Sequence, residues 1–217
     1  MPITNYKNMF NEICQSKFLK IQVIVLYIIT YIDWVILPFV TKLEGTYLPV
    51  YMISIYMLIG ALDGFIQPLF KHTKIYNIYL FAIMLDIVQI MSYMFYQWSA
   101  VVFTYVILSI FTIQGITFEI VRIHTVDFMQ GESVELKDYL MIRSFIISLS
   151  ILCGGLSAIL FDYFGMDLKW LFYYLSFLGV IGIVLQFILY KKFKKRIQIS
   201  EVEIQKDRRE IFEKIRG

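Results

Sequence analysis

Six apolar blocks, each of about 20 residues, leave this chain few ways to fold. They fall near residues 21–40, 50–70, 76–96, 100–121, 140–161 and 170–190. At 1.5 Å per residue, a helix of that length rises about 30 Å, the thickness of a bilayer's hydrocarbon core. No water satisfies backbone N–H and C=O groups there, so a spanning segment must be a helix or part of a closed barrel. The blocks do not alternate polar with apolar residues, which removes the barrel. The expectation is an all-α integral membrane protein with six transmembrane helices: an N-terminal segment 1–20, a membrane domain 21–190 and a charged tail 191–217. Composition agrees, with 59% hydrophobic residues against 17% charged, more apolar surface than a water-soluble chain of 217 residues can hide. Residues 1–20 are largely polar, and the block after them is long enough to span, so no cleavable signal peptide is expected.

Basic residues set the orientation. Lys7, Lys17 and Lys20 precede the first block, Lys71 and Lys74 sit in the second loop, and Arg122 and Lys137 sit in the fourth, with Arg143 at its far edge. The run KKFKKR (191–196) follows the last block, whereas the opposite loops hold Lys42 and Lys169. This bias predicts a multi-pass protein of the cytoplasmic (inner or plasma) membrane with both termini cytoplasmic. The net charge of +3 therefore reflects placement at the lipid surface, and nucleic acid is not an expected partner. Cys14 and Cys153 fall on the cytoplasmic side and inside a span, so no disulfide is expected. The N-terminal segment reads either as a short surface helix, with Tyr6, Phe10, Ile13 and Phe18 roughly on one face, or as a solvated lead-in. In the tail, Ser200 and Glu203 have capping-box spacing for a separate charged helix.

Four acids lie within the blocks: Asp33, Asp63, Asp86 and Glu119. Asp33 sits roughly 18 Å from the inner edge, beyond the midplane, and Asp86 is close to the middle. An ionised carboxylate at that depth costs at least ~2.5 kcal/mol, so each must face the bundle interior, a watery cavity or a partner. No Lys or Arg is expected deep enough to pair with Asp33 or Asp86. Two readings follow: proton or cation coupling at Asp33, Asp86, Asp63 and Gln114, or local hydrogen bonds to neighbours such as Tyr31, Gln89 and Ser92. Glu119 and Arg122, spaced i, i+3, suit an ion pair at the inner end of the fourth block, within reach of Arg143. These three are candidates for a gate or a structural pair. Gly64, Gly154 and Gly155 are candidates for close helix packing. No HExxH, GxSxG or Walker A motif is present, and His72 and His124 stand alone, so neither an enzyme, a metal site nor a cofactor is expected.

Taken together, these features resemble the N-terminal six-helix half of a major facilitator superfamily transporter. The resemblance covers nearly the whole length. It rests on Asp33 in the first helix, where many proton-coupled members carry an acid. It rests also on GFIQPLFKHTK (64–74), where the family places Gly-x-x-x-Asp-Arg-x-Gly-Arg-Arg. Gly64 is kept there; Pro68 stands at the aspartate position and the second glycine is missing. Arg122, Asp127, Glu132, Arg143, Gly154 and Gly155 then follow in the family's order around spans four and five, without the Gly-Pro of its antiporter signature.

The resemblance implies alternating-access movement of a small solute, with protons as coupling ion. Family members have two such halves that enclose a site at the midplane, and this chain has one. A homodimer or a separately encoded second half is the expected partner, besides the bilayer. The competing reading is a non-transporting assembly, anchoring or regulatory subunit. A third is the membrane subunit of a vitamin uptake complex, whose Ala-x-x-x-Ala pattern the first block lacks. Asp33, Asp86 and Gln114 gathered at one polar cavity would favour transport, and acids each tied off locally would favour a scaffold.

Overall fold

The computed structural model describes Asn11, residues 16–44 and 75–95, a set of residues between 102 and 117, and residues 135–216. Four long helices lie within them: α1 (Lys17–Glu44), α2 (Ile75–Phe95), α3 (Leu136–Tyr163) and α4 (Leu168–Arg216). All four are long and apolar enough to cross a membrane, with candidate spans Leu19–Phe39, Tyr76–Tyr93, Lys137–Tyr163 and Leu168–Lys195. They coincide with four of the six expected blocks. The block at 50–70 lies outside the described residues. That at 100–121 is described in part, and its described residues between Val102 and Thr117 are helical.

Local chemistry fixes the helix ends. Ser16 caps α1, its Oγ accepting from the Leu19 N–H at 3.3 Å while its carbonyl accepts from Lys20 at 3.0 Å. Helix α3 closes on a left-handed Gly165 (φ 62°). Met166 N–H bonds the Phe161 carbonyl at 2.9 Å and Gly165 N–H bonds that of Asp162 at 3.1 Å, a Schellman stop. Asp167 then starts α4 by accepting from the Lys169 N–H at 3.0 Å. The turn is tight, so α3 and α4 run as antiparallel neighbours in sequence.

Helix α1 packs on both α3 and α4, and α2 packs on α4. One core cluster joins Val35 and Ile36 of α1, Tyr93 of α2, Phe103 and Ile107, and Leu175 of α4. A second joins Leu19 and Val23 to Tyr139 and Ile142 of α3. A third joins Val25 and Ile29 to Tyr79, Leu189 and Phe193. The outward faces of α3 and α4 carry Leu152, Leu156, Ile159, Phe177 and Val184, large apolar side chains that only lipid or another protein would cover.

Pro38 lies inside α1, which runs on to Glu44. Proline there removes one N–H from the ladder, and the flanking turns carry the helix through. The tail does not restart at Ser200: α4 is continuous from Leu168 to Arg216. Residues 190–203 hold neither Gly nor Pro and are rich in Lys, Arg and Glu, so nothing in the chain interrupts the helix.

Candidate functional site: a buried carboxylate–amide network

Helix α2 presents Asp86, Gln89 and Tyr93 at i, i+3 and i+7, one face of a helix, and all three are buried. Gln114 and Thr117 extend the buried face that Phe103, Ile107 and Ile110 begin. On α4, Gln186 continues the buried face of Leu175, Gly179 and Gly182, and it is 1% exposed. Packing of these apolar faces against one another brings their few polar members together.

The contacts are specific. Gln114 Nε2 donates to Asp86 Oδ1 at 2.8 Å and to Gln89 Oε1 at 2.8 Å. Gln186 Nε2 donates to Asp86 Oδ2. Gln89 Nε2 donates to Tyr93 Oη at 3.1 Å and reaches Asp33 Oδ1 at 3.4 Å. Ser92 Oγ turns back to the Gln89 carbonyl at 2.6 Å. Asp86 is thus held by two neutral amides, one on each oxygen, and a run of side chains Asp86–Gln114–Gln89–Asp33 links the two acids. A hydrogen bond to a charged group contributes roughly 1.5–3 kcal/mol, so two such donors go far toward offsetting desolvation of this carboxylate.

A cavity of about 50 Å³ opens beside Asp86. Its polar wall is Gln22 of α1, Tyr79 of α2, Gln114, Tyr139 and Arg143 of α3, and Gln186 of α4. Gln22 Nε2 donates to Tyr79 Oη at 3.4 Å. Gln114 Oε1 is buried and has no hydrogen-bond partner among the described residues. That volume has room for about four water-sized groups.

Asp86 and Gln114 therefore share the cavity wall, and Asp33, half-buried, joins them through Gln89. Arg143, a candidate for a gate or a structural pair, lies on the wall of the cavity that Asp86 also lines. Asp63, Gly64, Glu119 and Arg122 lie outside the described residues. Of the two glycines in α3, Gly154 is the point of close approach: an added Cβ would stand 2.9 Å from Trp34 Cβ and 3.0 Å from the Tyr31 carbonyl oxygen. At Gly155 an added Cβ meets nothing within 4 Å. Tyr31, one of the hydrogen-bonding neighbours considered for the acids, instead bonds Ser157 Oγ at 2.9 Å and Tyr174 Oη at 3.2 Å. Gln22 and Gln186 were not singled out by the sequence reading. Their signal was present: a glutamine inside an apolar span carries a cost of burial that only a partner removes.

No family model, no curated protein and no solved structure matches the chain.

Proposed function

We propose that the chain is a half-size, secondary-transporter-like membrane protein that moves a small solute by alternating access, with protons as coupling ion, and works as a homodimer or with a second half. In this reading it resembles one half of a major facilitator superfamily transporter, six helices in the cytoplasmic membrane with both termini cytoplasmic. The observation that carries it is the cavity: Asp86, Gln114 and Gln186 meet there from separate stretches of helix, deep in an otherwise apolar bundle. Polar groups at such depth are costly and mark solute or ion paths. The apolar outward faces of α3 and α4 supply surface for a second half as well as for lipid.

One feature favours a second reading, an assembly or anchoring subunit: the charged, unbroken extension of α4 to Arg216 is a ready docking helix. The two readings differ in solvent access. With Ala82→Cys on the cavity wall and Cys14 and Cys153 replaced by Ser, a membrane-impermeant thiol reagent applied from either side of the membrane distinguishes them. Alternating access predicts labelling from both sides, and protection from both sides refutes it.

A further inference from the structure

Among the described residues, the cavity wall carries one carboxylate and one guanidinium. Asp86 of α2 and Arg143 of α3 both line it, with the amides of Gln22, Gln114 and Gln186 between apolar side chains such as Val25 and Leu189. Tyr79 and Tyr139, each about one turn into its helix, also line it, so the two helices enter the cavity near the same level. Asp86 is seven residues beyond Tyr79 and Arg143 four beyond Tyr139, which sets the carboxylate about 5 Å farther along the bundle axis. The two charges therefore stand at different heights of one small chamber.

The acceptors gather on the Asp86 side. Each carboxylate oxygen takes one amide hydrogen and has lone-pair capacity left. Gln114 Oε1 beside it is buried without a donor among the described residues, and its residue is 4% exposed. An N–H⁺ group bound there would satisfy both. On the Arg143 side the guanidinium has five N–H donors, so an existing partner leaves donors for a second acceptor. From this juxtaposition we infer that the cavity binds a small zwitterion of amino-acid size, its ammonium on Asp86 and Gln114 Oε1 and its carboxylate on Arg143. This rests on the transport reading for what the binding is for, but not for the binding itself. The space suits a body of a few non-hydrogen atoms, about the size of glycine or alanine.

The test is equilibrium binding of tritiated glycine, alanine and serine to the full chain in lipid nanodiscs. Saturable binding of at least one is expected, displaced by its unlabelled form and at least about tenfold less well by methylammonium or acetate, which each lack one charge-assisted contact. Asp86→Asn and Arg143→Gln should each weaken binding by at least about tenfold, and Arg143→Lys should restore part of it. Should either variant fail to fold, competition on the unsubstituted chain still decides. Equal displacement by methylammonium or acetate, or no displaceable binding of any of the three, overturns the inference. Saturable uptake into proteoliposomes of a solute without both charges would overturn it too, yet leave the transport reading standing. Zwitterion binding with no uptake would support it and remove transport.

Discussion

Gly154→Ala is the perturbation whose cost the structure defines best. The new methyl carbon would lie 2.9 Å from Trp34 Cβ, 3.0 Å from Tyr31 O and 3.4 Å from the Trp34 carbonyl carbon. These atoms belong to the backbone or are fixed to it, so no rotamer change clears the way. Helices α1 and α3 must separate, at an overpacking cost of about 1–3 kcal/mol. The exchange also gains up to about 1 kcal/mol of helix propensity, leaving a net loss of up to about 2 kcal/mol. Gly155→Ala, one residue on, meets open space and keeps the propensity gain, so it should raise stability by about 0.5–1 kcal/mol. Equilibrium unfolding by SDS titration of the two variants from the same mild detergent measures the difference, expected at about 2 kcal/mol. Equal stabilities, or the opposite order, would refute the α1–α3 packing described above.

Other outcomes follow from individual contacts. Gly179→Ala meets Ile90 Cδ1 at 2.9 Å, the far end of a flexible side chain that can swing aside, so its stability should change by less than about 1 kcal/mol in the same titration. Asp86→Asn offers a single acceptor oxygen to two amide donors, leaving one of Gln114 or Gln186 unsatisfied, at a cost of about 1–3 kcal/mol. Tyr31→Phe removes the bonds to Ser157 and Tyr174 that tie α1 to α3 and α4, and should lower stability by about 1 kcal/mol. Gln89→Leu breaks the link between the two acids, so a double-mutant cycle of Asp33→Asn and Asp86→Asn in the SDS titration should lose its coupling energy in that background.

What was legible in the sequence was set by lipid. Length and polarity alone marked the blocks at 21–40, 76–96, 140–161 and 170–190, because a bilayer accepts few other structures, and helices stand at all four. Helix ends were less legible. KKFKKR reads as the end of a span in hydropathy, yet lysine and arginine are good helix formers, so the spanning helix and the tail became one. Asp33, Asp86 and Gln114 stood out because each is a polar residue in an apolar run. Their connection through Gln89, and the arrival of Arg143 at the same cavity, depend on how helices rotate against one another. Single-block patterning carries little of that: apolar residues occupy the outward as well as the inward faces of these helices. Close packing had the same limit, since Gly154 and Gly155 are identical in sequence and point to different sides of α3.

The most direct test of the account is solute flux. Proteoliposomes containing the full chain, loaded against an inward proton gradient, would be supplied with a panel of small solutes that includes glycine, alanine and serine. Saturable uptake of one solute is expected, abolished when the gradient is collapsed with a protonophore and lost in Asp86→Asn protein that still elutes as a single folded species. Uptake no greater than in protein-free liposomes for every solute, or uptake untouched by Asp86→Asn, would contradict it.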